Sequence, residues 1–407
     1  MPKRPFNFTE IGKTGLKWSY GYIYDEFLTT LRGTRGRKVY REMRDNDAII
    51  GAMTFAINQI LREARWSIRP GDENVAECKQ DAKFLEDNLF GMVHSWSGIF
   101  TDILTFFTYG FSLFEQVFYR RDDNKIAWKK LAFRSQESLE RWDLDEHGET
   151  LGFFQRPAPD YREFYIPIGK CLHFRTESAG NNPEGRSLYR NSFRAWFMKK
   201  SIEEIEAIGV ERDLAGLPVL KMPEGFDPNS EDAEVQAQIA SAKTLITNIR
   251  RDEQEGILLP FGWELQLLAS SGHRQIDTVA VINRYNKEMA ATTLAQFIML
   301  GMERTGSYAL AREQTDMFYL ALEAWADYIA TVMNRYAVPK LFALNGISGR
   351  PLPYLVHTPI RRYTLKDIAY YVSELADEKI KALDIDEGVK SFLKRYGRLE
   401  EFSETRR

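Results

Sequence analysis

A long charged helix between two sets of chain-turning residues constrains the fold more than any other segment. The turn before this helix contains Asn181, Asn182, Pro183 and Gly185. Ser187 is placed to cap the helix, and Gly216 and Pro218 are placed to end it. Its apolar residues recur at helical spacing, at Trp196, Ile202, Ile205 and Ile208. The pattern therefore predicts a turn, a helix and a short strand over residues 185–223.

The composition is typical of a globular protein and argues against tight binding of nucleic acid. The 407 residues include 44% hydrophobic and 28% charged side chains, and the net charge is −3. Proteins that hold DNA phosphates firmly are usually basic, so we expect at most a surface past which DNA slides. The two cysteines, Cys78 and Cys171, are far apart, which is typical of a reduced protein without a cysteine metal site.

The sequence contains none of the short motifs that carry enzymatic chemistry. It has no Gly-x-x-x-x-Gly-Lys-Ser/Thr phosphate loop, and Gly185-Arg-Ser-Leu-Tyr lacks the second glycine of a nucleophile elbow. The five histidines are dispersed, and no pair has metal-ligand spacing on a helix. No apolar run has the length of a membrane span or the position of a signal-peptide core. We therefore expect no catalytic activity, no cofactor, no metal and no membrane contact.

Helical and strand-like segments follow one another in a mixed order, which predicts an α+β fold. Residues 1–40 are expected to form an irregular arm with aromatic anchors. The predicted helices cover residues 45–65, 73–91, 97–109, 186–215, 230–249, 274–300, 309–344 and 365–396. The predicted strands cover residues 66–69, 111–120, 126–133, 139–144, 151–155, 164–168, 217–221 and 256–259, with an edge strand within 350–363.

Two glycines separate a pair of long predicted helices near the end of the chain. Gly301 and Gly306 indicate a mobile loop between the helix over 274–300 and the helix over 309–344. Pro339 should kink or end the second of these helices, because proline lacks a backbone N–H.

The order of these elements resembles that of portal proteins of tailed bacteriophages. The resemblance is carried by residues 185–223, by Asp47-Ala48-Ile49-Ile50-Gly51-Ala52 before Trp66-Ser67-Ile68-Arg69-Pro70, and by Tyr109-Gly110-Phe111-Ser112-Leu113-Phe114-Glu115. The helix, glycine-flanked loop and long helix are similar to the second stem helix, tunnel loop and kinked tunnel helix of that family. The resemblance covers roughly residues 40–345, and it depends on the order of the passages rather than on one motif.

The resemblance implies an α+β portal fold with a mixed wing, two long stem helices, a small clip, a kinked tunnel helix and a reduced crown. The implied divisions are an N-terminal arm (1–40), the wing (41–185), the first stem helix (186–215), the clip (216–272), the second stem helix (273–300), the tunnel loop (301–312), the long kinked helix (313–345), the wing return (346–380) and a reduced crown with the C-terminal tail (381–407).

The same resemblance implies a structural protein of the virion that closes into a ring, usually dodecameric, at one capsid vertex. Such a ring would nucleate capsid assembly, dock the terminase motor, pass double-stranded DNA without sequence preference and later hold the neck and tail. The implied partners are further copies of the chain, the terminase large subunit, the major capsid protein, a head-completion or neck adaptor protein and double-stranded DNA. The protein would act in the virion and, during assembly, in the host cytoplasm.

Two groups of residues are candidates for contacts in such a ring. The DNA-channel and tunnel-loop group comprises Arg284, Lys287, Met302, Glu303, Arg304, Thr305, Ser307 and Tyr308. The clip group, which would meet the terminase and the connector, comprises Glu224, Asp227, Glu231, Asp232, Arg250, Arg251 and Glu253. Each group also has a simpler explanation. The basic residues could form salt bridges between neighbouring helices, and the acidic residues could belong to a solvated surface.

Two other interpretations remain open on the sequence alone. A different structural ring of the virion, such as a neck or baseplate component, would have a similar composition. A metal-dependent nuclease would need scattered acidic residues to converge on a metal ion. The two long helices around a glycine-bounded loop favour the portal, because a gated channel needs rigid walls and a mobile tip.

Overall fold

The chain folds into two compact units of unequal size. The computed structural model describes residues 10–177, 179–215, 217–223, 226–227, 229–248, 259, 261–268, 277–293 and 308–360. The first unit comprises residues 1–193 and 289–407, and the second comprises residues 194–288. Both contain helices and antiparallel strands, so the predicted α+β class is confirmed.

The described residues form ten α-helices and twelve strands. The helices are α1 (Gly33–Asn46), α2 (Ala48–Arg62), α3 (Ala76–Phe90), α4 (Trp96–Ile103), α5 (Phe106–Tyr109), α6 (Phe193–Ala215), α7 (Ala233–Asn248), α8 (Thr278–Thr292), α9 (Tyr308–Val332) and α10 (Val338–Leu344). The strands are β1 (Trp18–Ser19), β2 (Tyr22–Ile23), β3 (Trp66–Arg69), β4 (Phe111–Arg120), β5 (Ile126–Arg134), β6 (Leu139–Leu144), β7 (Thr150–Gln155), β8 (Phe164–Pro167), β9 (Cys171–Arg175), β10 (Leu217–Lys221), β11 (Glu264–Leu268) and β12 (Tyr354–His357).

Small antiparallel sheets hold the first unit together. The strand orders are β5–β4–β9, β6–β7–β8, β3–β12 and β1–β2. The faces of β4, β6, β7 and β9 meet in a buried apolar cluster of Ile23, Phe111, Leu113, Leu139, Trp142, Leu144, Phe153, Ile166 and Cys171. Strand β12 pairs with β3 from the first quarter of the chain, as the prediction of a returning edge strand requires.

Helix α1 corrects the prediction that all of residues 1–40 form an irregular arm. This helix begins at Gly33 and buries Arg37, Tyr40 and Met43 on one face. Helix α2 follows after a single residue, Asp47, whose carboxylate accepts the backbone N–H groups of the second and third residues of α2. The expected arm is therefore shorter than predicted.

The long helical segment near the C-terminus continues past Pro339, with a change of helix type before it. Helix α9 passes into a wider π-helical turn, Met333–Ala337, and α10 then continues through Pro339 to Leu344. Because a proline ring collides with the carbonyl four residues earlier, the wider turn at Arg335 makes room for it.

The second unit contains a two-stranded sheet and long helices. Strand β10 lies where predicted and pairs with β11, which the sequence did not predict. Of the strand predicted over 256–259, only residue 259 lies among the described residues. Helix α6 begins at Phe193 rather than near residue 186. Ser187 does not cap it, because its hydroxyl accepts the N–H of Tyr189 within the preceding turn.

The turn before α6 contacts the end of α5 through two glycines. Gly110 and Gly185 both have positive φ angles, 93° and 57°. A Cβ atom added to Gly185 would lie 2.2 Å from the carbonyl oxygen of Gly110, and one added to Gly110 would lie 2.3 Å from the carbonyl oxygen of Glu184. Thr176 and Leu188 strengthen the junction, because their N–H groups donate to Gly110 and Phe107 at 2.9 and 2.8 Å. Both positions therefore require glycine.

We expect Gly185→Ala to destabilise the protein by about 2–5 kcal/mol, because alanine adds left-handed strain and a backbone collision. Gly169→Ala is the matched control, since a Cβ there has nothing within 4 Å. Chemical denaturation of both variants measures the difference. Equal free energies of unfolding would contradict the requirement for glycine.

His173 lies in the first unit as a partly buried, neutral histidine. Its Nε2 lies 2.8 Å from the carbonyl oxygen of Pro183, and its ring stacks on Trp142 at 5.4 Å between centroids. Burial, assisted by the charge of Arg175, lowers the pKa of His173 from its ordinary value near 6.5 to about 3. The unfolded chain therefore binds a proton at pH values where the folded chain does not.

His173 should make the protein sensitive to mild acid. Its contribution to stability is complete above about pH 6.5 and is lost as the pH falls towards 3, by roughly 2 kcal/mol between pH 7 and pH 5. In His173→Gln, the free energy of unfolding should change less over that interval than in the wild type. Parallel slopes for the two proteins would refute the assignment, whatever their absolute stabilities.

Candidate functional site

Helix α6 presents apolar side chains to solvent. Phe197, Ile205 and Ile208 are 51%, 62% and 50% exposed. Their spacing of eight and three residues places them on one face of the helix, which we name the α6 stripe. Trp196, which the sequence groups with the two isoleucines by periodicity, is buried. The apolar residues of this helix therefore occupy two faces, one that includes the buried Trp196 and one that includes the exposed Ile205 and Ile208.

Two charged residues of α6 pair with each other one turn apart. The side chain of Lys199 is buried, and its Nζ lies 3.6 Å from the carboxylate of Glu203. The Lys200 ammonium lies over the ring of Trp196 at 5.6 Å from its centroid. These interactions belong to the side of the helix away from the stripe.

Arg284 and Lys287 lie three residues apart on α8, and both are exposed. The guanidinium of Arg284 is 3.8 Å from the carboxylate of Glu288 and 4.7 Å from the ring centroid of Tyr285. This salt bridge lies within one helix. The two cations share one exposed face, on which Glu288 partly neutralises Arg284.

The predicted tunnel loop lies outside the described residues. This applies to Met302, Glu303, Arg304, Thr305 and Ser307. Tyr308 is the first residue of α9, and its side chain is also outside the described part. Their placement relative to Arg284 and Lys287 is therefore outside the described structure.

The acidic residues of the predicted clip have different local roles. Asp232 caps α7, because its carboxylate accepts the N–H of Glu234 at 3.0 Å. Asp227 accepts the N–H of Asn229 at 2.9 Å and closes a turn. Glu231 is exposed. Glu224, Arg250, Arg251 and Glu253 lie outside the described residues.

An apolar groove of about 340 Å³ lies between α7 and the β10–β11 sheet. Its described lining consists of Leu220, Ala237, Gln238, Ser241, Ala242, Leu245, Leu259 and Trp263. Phe226 packs edge-on against Trp263 at 5.2 Å between ring centroids. The sequence indicated an acidic surface here, and the apolar groove was not predicted.

Two ion pairs fix the turn that leads to α6, and the sequence indicated neither. Arg190 donates to both carboxylate oxygens of Glu26 at 2.6 and 2.8 Å. Burial raises the pKa of Glu26, but the hydrogen bonds from Arg190 and from the N–H of Leu28 outweigh it and lower the pKa overall. Arg37 donates to Glu184 at 3.1 Å and to the carbonyl of Leu139 at 2.7 Å. The partners are far apart in sequence, so no local pattern signals them.

Two further kinds of site are absent from the described part of the chain. None of its helices has both the length and the apolar character needed to cross a bilayer. No group of three or more His, Cys, Asp and Glu side chains is arranged there to hold a metal ion. The nuclease interpretation thus finds no assembled ligand set among those residues.

Comparison with known families identifies one that covers most of the chain. The family model described as the portal protein of Mu bacteriophage matches residues 37–397.

Solved structures with a similar fold come from virus-like particles and a phage protein. A protein in the neck of an empty gene transfer agent particle, computed with C6 symmetry, has a TM-score of 0.51 at 11% identity, covering 83% of this chain and 88% of that one. A protein in the neck of the native particle, computed with C12 symmetry, has a TM-score of 0.52 with the same identity and coverage. An HK97-family phage portal protein from Corynebacterium diphtheriae has a TM-score of 0.46 at 9% identity, covering 78% of this chain and 95% of that one.

Proposed function

The chain belongs to the family of Mu bacteriophage portal proteins, and we propose that its copies form a dodecameric ring that carries double-stranded DNA through one capsid vertex. The family is one of structural proteins of the virion. The α6 stripe is the observation that carries the proposal, because its Ile205 and Ile208 side chains are 62% and 50% exposed on one face of the helix. In a closed ring, a neighbouring copy would cover it.

The α6 stripe would contribute apolar burial to the assembly of a ring. Burying one isoleucine or phenylalanine side chain stabilises a protein by about 1.5–3 kcal/mol. Ile205 and Ile208 are about half exposed, so each would contribute roughly half of that amount, and in a ring every copy repeats the contact. The ring therefore gains this contribution at each interface.

The number of subunits is supported by symmetry in the related particles. The necks of the gene transfer agent were computed with C6 and C12 symmetry, and a ring of twelve satisfies both. These similarities are in fold, and the subunit number of this chain is part of the proposal.

The proposal assigns the implied divisions to the two units. The second unit would contain the clip (216–272) and most of the two stem helices (186–215 and 273–300). The first unit would contain the arm, the wing, the tunnel loop, the long kinked helix, the wing return and the reduced crown. Strand β12, which pairs with β3, supports the wing return.

The clip would dock the terminase large subunit during packaging and the neck adaptor afterwards. Glu231 is the best placed of its described acidic residues, because Asp227 and Asp232 already accept backbone N–H groups. Glu224, Arg250, Arg251 and Glu253 complete the proposed surface. The major capsid protein would surround the ring in the virion, and assembly would take place in the host cytoplasm.

The channel wall would include the exposed face of α8. Repeated around a ring, Arg284 and Lys287 would form a belt of positive charge, and Arg304 would add to it from the tunnel loop. Because Glu288 partly neutralises Arg284, the belt would attract phosphates without holding them firmly. Met302, Glu303, Thr305, Ser307 and Tyr308 complete the proposed contact with DNA.

A second structural candidate is a ring elsewhere in the neck, because two of the matched proteins belong to necks. The location of the ring in the assembled particle separates the two. Cryo-electron microscopy of particles that contain the protein would place a portal within the capsid vertex and a neck component below it.

Replacing two residues of the α6 stripe should prevent assembly. We expect Ile205→Glu combined with Ile208→Glu to give folded monomers, because each interface would bury uncompensated carboxylates. Ala207→Glu, at an exposed position beside the stripe, is the charge-matched control and should still form rings. Mass photometry and negative-stain microscopy report assembly, and circular dichroism reports folding. Wild-type ring yields in the double variant would overturn the assignment.

Neutralising the proposed belt should impair packaging without affecting assembly. We expect rings of the triple variant Arg284→Gln, Lys287→Gln and Arg304→Gln to package DNA more slowly, because fewer cations line the channel. Arg35→Gln with Lys38→Gln removes two exposed charges from α1 and serves as the control. An in vitro packaging assay with purified terminase measures the rate, and an unchanged rate in the triple variant would count against the belt.

A further inference from the structure

The β1–β2 hairpin holds one tyrosine almost fully in solvent. Tyr20 is 89% exposed and has a φ angle of 50°, a conformation that is unfavourable for a residue with a large side chain. The next residue, Gly21, accepts the N–H of Trp142 at 2.9 Å, and a Cβ atom on it would lie 2.1 Å from the carbonyl oxygen of Trp142. The hairpin is thus fixed against β6, and its strained tyrosine packs on almost nothing in the chain.

A groove of about 410 Å³ lies beside this tyrosine. Its lining consists of Trp18, Tyr20, Gly21 and Tyr22 from the hairpin and Arg141, Trp142, Asp143 and Leu144 from β6. Three of these residues are aromatic side chains of the hairpin, each at least a third exposed. The groove therefore has aromatic walls that are open to solvent.

Acidic groups determine the charge of the groove. Asp143 is part of the lining, and Glu140 accepts a hydrogen bond from the hydroxyl of Tyr22 at 3.0 Å. The guanidinium of Arg141 lies 3.5 Å from the ring centroid of Phe154 and 3.1 Å from Glu163, which also pairs with Arg156 at 3.2 Å. The three carboxylates of Glu140, Asp143 and Glu163 thus outnumber the two guanidinium groups. The groove and its rim thus favour a cationic ligand.

Grooves with these features suit short extended segments that contain proline. Exposed aromatic side chains pack against proline rings, and a proline-rich segment loses little entropy on binding because its backbone is already restricted. Acidic residues at the rim then select segments in which basic residues lie beside the prolines. A Pro-x-x-Pro segment with lysine or arginine at the intervening positions fulfils both requirements.

The chain contains such a segment itself, at Pro2-Lys3-Arg4-Pro5. It precedes the described residues, which begin at residue 10 beside the turn between β6 and β7. There His147 contacts the carbonyl of Gly12 at 2.9 Å, and Thr14 donates its N–H to His147 at 3.0 Å. We propose that residues 2–5 dock in the aromatic groove of the same chain.

The length of the connecting segment is sufficient for this docking. Eight residues lie between Pro5 and Thr14, and the nine residue steps from one to the other span up to about 30 Å when extended. The turn at His147 is four residues from Asp143, or about 13 Å along a strand. The segment can therefore reverse direction and reach the groove. Both the segment and the hairpin precede residues 37–397, so the docking goes beyond what family membership implies.

The test places a photo-cross-linker at the groove in the full chain. Tyr20 is replaced by p-benzoylphenylalanine, an aromatic residue that bonds to adjacent C–H groups on irradiation, and the acceptor is mapped by mass spectrometry. Mixing ¹⁵N-labelled and unlabelled protein distinguishes links within a chain from links between chains. We expect links to residues 2–5 within one chain. The same probe at Tyr336, which is also exposed, should give none.

Substitutions in the segment establish whether its chemistry matters. Pro2→Gly combined with Pro5→Gly should reduce the cross-link yield about tenfold, because the proline rings no longer pack in the groove. Lys3→Glu combined with Arg4→Glu should reduce the yield by about the same factor, because the new carboxylates are repelled by Asp143. A tenfold loss corresponds to the removal of one strong contact. Links that map outside residues 2–5, links only between chains, or yields unaffected by both double substitutions would each overturn the proposal.

Discussion

The contact between Gly110 and Gly185 is the constraint on which the arrangement of the first unit depends. Two backbone segments approach so closely that a methyl group on either one would collide with the other. Hydrogen bonds from Thr176 and Leu188 are possible only because of this approach. One junction thus joins the end of α5, the start of β4, the end of β9 and the turn before α6. Glycine is required by the distance between backbones as well as by the φ angle.

Polar interactions over long sequence distances then fix that turn in place. Arg37 is almost completely buried, and burial lowers its pKa even though Glu184 opposes the change. Its Nε has no hydrogen-bond partner among the described residues, so the interaction with Glu184 only partly offsets the cost of burial. Such a pair fixes the position of the turn more than it adds to the free energy of unfolding. Truncating either partner would leave the other charge buried without its partner. The start of α6 is therefore set by residues near the beginning of the chain.

Sequence reasoning succeeded where a local pattern determined the structure. Strands β3, β4, β6 and β10 lie within the predicted limits because turn residues bound each alternating run. Strand β9 was not predicted, because its five residues are too few to show a clear alternation of apolar and polar side chains. It is stabilised by pairing with β4, which is a contact between segments far apart in the sequence. The site was less predictable. The periodicity of α6 identified Ile205 and Ile208 as apolar, yet only the packed structure shows that they are exposed while Trp196 is covered. Ion pairs such as Glu26 with Arg190 have no local signal at all.

The α6 stripe and the groove beside Tyr20 differ in what could cover them. The α6 stripe extends over three turns of one helix and has Glu204 on the same face, so its complement must be equally long, and a second copy of the chain provides one at every position of a ring. The groove beside Tyr20 is small and acidic at its rim, which suits a few residues with prolines and positive charge. Assembly through the stripe repeats by symmetry and becomes stronger as the ring closes. Docking within one chain is independent of protein concentration. A dilution series would therefore separate the two, because rings should dissociate while the cross-link at residue 20 persists.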